Sequence, residues 1–254
     1  MWSEARHQRI QLMLQRYERV TTTQVMAALE VSRETVRRDF LELEAIGLLK
    51  RVHGGAVHIS DEPPIDKRST LRVAAKQAIA KATAQRINRP LTLFMDAGST
   101  TTLLAKELSL LSELTIITNS LDAAESFRQQ APTQNNQIII LGGELSGHLA
   151  ATTGSSTIAH IQRFHADIAL LSPVGIDARH GASSFHHDEA SIARAMSESA
   201  HQTWILADHN KIGTHSRETY CPVQEINVLI SNTNASHREG FEELAACIDE
   251  IVLV

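Results

Sequence analysis

Val31-Ser32-Arg33-Glu34-Thr35-Val36-Arg37-Arg38-Asp39-Phe40, running on through Leu41-Glu42-Leu43, decides the first part of the fold. Ser32 suits a helix N-cap, because its hydroxyl can accept from an orphan amide of the first turn. Val31 before the cap and Val36 after it can close a hydrophobic staple. Val36, Phe40 and Leu43 recur at helical spacing and form one apolar face. Thr35, Arg37, Arg38 and Leu41 point away from it. One helix earlier, Val20-Thr21-Thr22-Thr23-Gln24-Val25 carries the same signals. Thr21 and Gln24 fit a capping box, and Val20 with Val25 fits a staple. Two capped helices joined by the tight Leu29-Glu30-Val31 connection read as a helix-turn-helix, the second being the recognition helix. Its arginine pair suits phosphate oxygens and guanine edges, which guanidinium groups engage in a bidentate way.

Working outward, Ile10, Met13, Leu14 and Tyr17 predict a first helix over Ser3–Arg19. Gly47 is expected to end the recognition helix. Leu48–His53 and Ala56–Ile59 are strand-like runs around Gly54-Gly55, the pattern of a hairpin. The head therefore reads as a winged helix-turn-helix over residues 3–58. Its candidate DNA-binding residues are Thr21, Ser32, Arg33, Thr35, Arg37 and Arg38 from the helices. Lys50, Arg51, His53 and Gly54 join them from the wing, with His53 as easily a plain turn-flanking residue.

The net charge of −5 argues by itself against a nucleic-acid binder, but its distribution does not. Residues 1–58 carry +2 and the remainder −7. A slightly basic head on an acidic body fits a DNA-binding module joined to something that does not touch DNA. Apolar runs are too short for a bilayer span, and the N-terminus lacks a signal pattern. Cys221 and Cys247 form neither a disulfide framework nor a zinc knuckle, so a reducing, cytoplasmic setting is expected.

The proline-containing stretch Asp61–Asp66 marks a linker, drawn at 59–70, before an α/β body over 71–254. In the body, helical patterns (71–87, 102–108, 121–129, 189–200, 241–247) alternate with apolar strand runs (91–95, 114–118, 137–141, 167–171, 203–207, 226–231, 248–254). That alternation predicts a mainly parallel sheet covered on both faces. Ligands bind such sheets at the carboxyl ends of the strands. Polar residues gather there. Asp96-Ala97-Gly98-Ser99-Thr100-Thr101 follows a strand and opens a helix, whose amides and hydroxyls could cradle a phosphate. Asn119 and Ser120, then Gly175 and Asp177, follow later strands. Lys211, in Asp208-His209-Asn210-Lys211, is the expected cation. His186-His187-Asp188-Glu189 has the residue types of a metal cluster but is not expected to bind a metal. Adjacent histidines in a strand point to opposite faces, and chance clusters are expected among 13 histidines. Neither a metal nor a cofactor is expected.

These residues carry a resemblance. The head resembles the DeoR/GlpR-type bacterial transcriptional regulators through Arg6-His7, Ser32–Asp39, Leu43-Glu44 and His53-Gly54-Gly55-Ala56. The body resembles the sensor domain of the same family and, more distantly, ribose-5-phosphate isomerase. Its matching pieces are Asp96–Thr100, Thr118–Ser120, Gly142–Glu144, Gly175–Asp177, Asp188–Ala190 with Arg194–Met196, and Asp208–Gly213. The resemblance implies a repressor of a sugar or related catabolic operon, released from double-stranded operator DNA by a small phosphorylated effector. Glu189 joins the effector-site candidates on these grounds. Half-site geometry implies at least a homodimer. Two positions depart from the pattern. Arg194 stands where the isomerase carries its catalytic glutamate, which weighs against the alternative of an isomerase-like enzyme with a DNA-binding head. Ala193 stands where many sensor domains carry a lysine, which leaves the effector's identity open.

Overall fold

The computed structural model describes residues 3–17, 19–45, 48–58 and 63–254. Gly47, Ile59, Asp61 and Glu62, named above for a helix end, a wing strand and the linker, lie outside the described residues. The chain divides into two compact units, Met1–Asp61 and Glu62–Val254.

In the first unit, α1 (Ser3–Tyr17) leads into β1 (Arg19–Thr21), α2 (Thr22–Leu29), α3 (Arg33–Ala45), β2 (Leu49–Val52) and β3 (Gly55–His58). The capping box forms as expected, with the Gln24 amide donating to Thr21 Oγ1 at 3.1 Å and the Thr21 amide to Gln24 Oε1 at 2.8 Å. Glu30 ends α2 in the left-handed region, φ 53°, and this reverses the chain into α3. The Thr35 amide donates to Ser32 Oγ at 3.2 Å. Val20, Val25, Val36, Phe40 and Leu43 pack with Ile10 and Leu14 in one core, with Val31 against it.

Two expectations are corrected here. The first helix stops at Tyr17, and Arg19–Thr21 is a strand pairing antiparallel with β3. The wing is therefore three-stranded, in the order β1-β3-β2. Second, Gly55 belongs to the strand, and the turn is His53-Gly54 with Gly54 at φ +80°. Gly55 has to be small because a Cβ there would lie 2.1 Å from the Val20 carbonyl oxygen.

The second unit opens with α4 (Ile65–Thr70), where linker was expected, and α5 (Val73–Arg86). The proline pair hid α4, whose N-cap is Pro64. A seven-stranded sheet follows, built from β4 (Thr92–Met95), β5 (Thr115–Thr118), β6 (Gln137–Ile140), β9 (Ala166–Leu171), β12 (Ala200–Leu206), β14 (Val228–Ser231) and β15 (Glu250–Leu253). Its order is β15-β14-β12-β9-β4-β5-β6, and every pairing is parallel. Between the strands lie α6 (Ser99–Leu108), α7 (Leu121–Gln134), β7 (Glu144–Leu145), β8 (Thr152–Thr153) and α8 (Ser155–Ile161). Further on come β10 (Gly175–Asp177), β11 (Gly181–Ser184), α9 (His187–Glu198), β13 (Glu218–Cys221) and α10 (Phe241–Ala245).

Alternation along the strands makes two cores. Leu93, Met95, Ile116, Ile168, Leu170, Leu206 and Ile230 face α5, α6 and α7. Phe94, Ile117, Ala169, Leu171, Ile205 and Leu229 face α8, α9 and the small sheet β10-β11-β13. Burial of each such side chain larger than alanine stabilises the fold by about 1.5–3 kcal/mol. The chain runs from β4 outward through β5 to β6, then returns to β9 on the other side of β4 and runs on to β15. The sheet therefore reverses its winding between β4 and β9, and ligand crevices open at such a point.

Candidate functional site

The first site is the outer surface of α3 with the wing. Val36, Asp39, Phe40 and Leu43 are buried, so the opposite face is left to Arg33, Glu34, Arg37 and Arg38. The side chains of Arg37 and Arg38 are 56% and 71% exposed. Glu34 accepts two bonds from Arg37, at 2.9 and 2.7 Å, and a longer one from Arg38 at 3.4 Å. Those bonds, led by Arg37's, pull the Glu34 carboxyl down to about 2. Glu34 thus orients Arg37 along the helix, while Arg38 is held more loosely. Thr21 and Ser32 act as caps, and Thr35 is half-buried beside Ser32. On the wing, Lys50, His53 and Gly54 are exposed. Arg51 is engaged within the unit, its Nε 2.6 Å from Glu44 Oε2.

Asp39, which sequence reasoning passed over, is 1% exposed. Arg6 donates to both its oxygens at 2.8 Å, and His7 Nε2 lies 3.2 Å from Oδ1. This fork fixes α1 to the inner side of the recognition helix.

The second site lies at the reversal between β4 and β9. Asp96 ends β4, and its Oδ2 accepts from the Ser172 amide beyond β9 at 2.9 Å, tying the two strand ends together. Two pockets adjoin there and share Arg68 and Ser172. The smaller, about 310 Å³, is walled by Ser99 and Thr100 at the start of α6 and by Arg68, Arg72, Lys76 and Lys211. Four cations thus meet one carboxylate, Asp208, at a helix N-terminus whose partial positive charge also favours an anion. The larger pocket, about 470 Å³ with its mouth, is walled by Asp96, Asn119, Glu189, Ser184 and Tyr220, with Ala193 beside them. Asn119 Nδ2 donates to the Thr152 carbonyl at 2.9 Å, which fixes the amide's orientation and leaves Oδ1 as its acceptor.

Of the residues expected from sequence, Asp96, Ser99, Thr100, Asn119, Glu189 and Lys211 come together here. Gly98 caps α6 in extended conformation and accepts from the Thr101 and Thr102 hydroxyls, so Thr101 is engaged within its own helix. Ser120, Gly175 and Asp177 line neither pocket. Ser120 Oγ caps α7 by accepting from the Ala123 amide at 3.1 Å. Gly175 packs so closely that a Cβ would lie 2.5 Å from the Thr214 carbonyl oxygen. Asp177 closes the turn after β10. Arg194 also points elsewhere, donating to the Thr219 carbonyl beside Glu218. His186 and His187 stand at the start of α9, not in a strand, and go to separate partners. His186 stacks on His148 at 4.1 Å, and His187 Nδ1 lies 2.8 Å from Glu218.

Sequence reasoning missed Arg68, Arg72 and Lys76. Lys76 is 3% exposed and donates to the Arg68 carbonyl at 2.6 Å and to Ser99 Oγ at 2.8 Å. Burial, with Arg72, Lys211 and Arg68 nearby and only Asp208 opposing, pushes its ammonium down to about 8. Arg72 holds the left-handed region, φ 52°, at the start of α5, with Nε 2.9 Å from Asp208 Oδ1. Such a conformation costs a non-glycine residue on the order of 1 kcal/mol.

The profile of the DeoR-like helix-turn-helix domain matches residues 6–62, and that of the DeoR C terminal sensor domain matches residues 71–233. The chain belongs to the DeoR family. Within the family it is similar to the HTH-type transcriptional repressor GlcR of Bacillus subtilis, at 33% identity over 91% of this chain and 89% of that one. It is also similar to the glycerol-3-phosphate regulon repressor of Escherichia coli, at 31% identity over 83% of each. Among solved structures, ribose 5-phosphate isomerase A of Methanocaldococcus jannaschii overlaps 54% of this chain and 53% of its own. The TM-score is 0.39 and the identity 14%, too distant to bear on function. As a DeoR-family protein the chain is a DNA-binding transcription regulator with a sensor domain. No helix among the described residues is long and apolar enough to cross a membrane.

Arg38→Ala tests the α3 surface. Losing the contact should weaken operator binding by about 1–3 kcal/mol if Arg38 reads a base, with folding intact. Arg37→Ala should act more uniformly across DNA sequences, as a phosphate contact does. Gel-shift titration at matched salt checks both, and unchanged affinity for Arg38→Ala would remove it from the interface.

Proposed function

We propose that this DeoR-family regulator is a cytoplasmic, non-enzymatic repressor of a sugar or related carbon-source operon. It binds double-stranded operator DNA as at least a dimer, and a small phosphorylated, hydroxyl-bearing metabolite releases it. The observation that carries this reading is the convergence of Arg68, Arg72, Lys76 and Lys211 on the N-terminus of α6. That compartment suits a phosphate dianion. The adjoining compartment offers the acceptors Asp96, Asn119 and Glu189, which suit hydroxyl groups and repel a second carboxylate. The similarity to the glycerol-3-phosphate regulon repressor of Escherichia coli supports the assignment of effector class.

The test is operator release measured against a panel of sugar and polyol monophosphates, with inorganic phosphate and the unphosphorylated polyols as controls. One phosphorylated polyol should release the operator where its unphosphorylated form does not. Lys211→Ala should bind operator as wild type and need more effector for release. If Lys211→Ala responds at the wild-type concentration, the effector sits elsewhere.

A further inference from the structure

Away from both pockets, three side chains meet between the β10–β11 turn and the loop that leads into β13. Asp177 Oδ1 accepts from the amides of Arg179, at 2.8 Å, and His180, at 2.6 Å. His180 Nδ1 also lies 3.2 Å from Oδ1, so its ring faces both carboxylate oxygens, with Oδ2 the nearer. His180 Nδ1 lies 3.0 Å from Oδ2 and His215 Nδ1 3.9 Å. The two rings stack with centroids 4.1 Å apart at 29°. The three ligand atoms all lie within 4.8 Å of one another.

His180 Nδ1 is within hydrogen-bond distance of the carboxylate, and His215 Nδ1 faces the same oxygen from beyond that reach. A divalent ion held among them would be ligated by all three groups. In a tetrahedral zinc site with bonds of about 2.0–2.2 Å, neighbouring ligand atoms stand roughly 3.3–3.6 Å apart, and the two nitrogen–carboxylate separations, 3.0 and 3.9 Å, lie on either side of that. The side chains of His180, His215 and Asp177 are 40%, 36% and 20% exposed, so an ion can enter and water can complete its shell. Two imidazoles and one carboxylate select a zinc-like transition ion over magnesium or calcium, which prefer all-oxygen shells.

We propose that Asp177, His180 and His215 bind one zinc-class divalent ion per chain. The ion would clamp the β10–β11 turn to the segment that carries Lys211, four residues before His215. The reading stands independently of the effector assignment, because none of the three residues lines either pocket.

The test uses the untagged full chain with Zn²⁺ by calorimetry and Co²⁺ by visible absorption. Wild type should take up one equivalent saturably. His180→Ala and His215→Ala should each weaken that event at least about tenfold, since even the loss of an outer-shell partner does as much. Both positions are exposed enough for the variants to fold, which circular dichroism confirms. His187→Ala, at the separate His187–Glu218 pair, should bind as wild type. Three results would overturn the proposal: no saturable uptake by wild type, uptake unchanged in both His180→Ala and His215→Ala, or an equal loss in His187→Ala.

Discussion

Asp39→Ala should destabilise the DNA-binding unit by about 3–5 kcal/mol, the usual cost of removing one partner from a buried ion pair. Asp39 sits on the inner side of α3, 1% exposed, and receives both nitrogens of the Arg6 fork. Its loss removes the carboxylate to which the Arg6 fork, a side chain only 15% exposed, makes both bonds. A unit of this size has a total stability on the order of 5 kcal/mol, so the variant would be left with no more than about 2 kcal/mol and up to about half of it unfolded at room temperature. Its melting temperature should drop sharply, and apparent operator affinity should fall on warming, although Asp39 does not face the DNA surface. Asp39→Asn should do less damage, because the amide oxygen still accepts one of the two bonds. Circular dichroism melts beside gel shifts make the measurement. A wild-type melting temperature for this unit in Asp39→Ala would mean that the fork does not hold α1 to α3.

Lys76→Met should raise the effector concentration needed for operator release by about 10- to 100-fold. The basis is the loss of a charge-assisted hydrogen bond, worth about 1.5–3 kcal/mol. The variant also carries a pH signature. Burial and neighbouring cations lower the Lys76 ammonium from its ordinary 10.5 to about 8. A base held below its unfolded value binds fewer protons in the folded state than in the unfolded state across that interval. Folding stability should therefore rise as pH climbs from about 8 toward 10.5, the penalty on the charged form being complete below 8. Lys76→Met should lack this rise. A bound phosphate keeps the ammonium charged, so effector affinity should fall as pH passes about 8 in wild type and less steeply in the variant. Urea unfolding and effector titrations at a series of pH values from 7 to 10 check both slopes. A wild-type unfolding curve flat across this range would mean that Lys76 titrates near its ordinary value.

What the sequence disclosed depended on the range of each interaction. Thr21 with Gln24, Ser32 with Thr35, and the valine staples are contacts within one helical turn, so residue order alone reveals them. The seven parallel strands each contain a short apolar run, because both faces of the sheet are covered. Strand β1 is only three residues long, too short for a pattern, and takes its identity from β3. Strand β11 is Gly-Ala-Ser-Ser, whose small side chains carry no hydrophobic signal. Asp39 gave no local signal of its burial, because its partners Arg6 and His7 lie on another helix. At the proposed effector site, the residues at strand ends were legible from topology. Arg68, Arg72 and Lys76 precede the first strand of the sheet and reach the site only through the packing of α4 and α5.

That packing bears on how the sensor can be isolated. A fragment begun at residue 71, where the sensor profile starts, would omit Arg68 and the carbonyl that receives the Lys76 ammonium. It would keep the whole parallel sheet and fold around an incomplete anion site. A weak effector response from such a truncate would reflect the cut and not the protein. Fragments for ligand screening, and chimaeras that join this sensor to a foreign DNA-binding head, should retain the native chain from Pro63 onward.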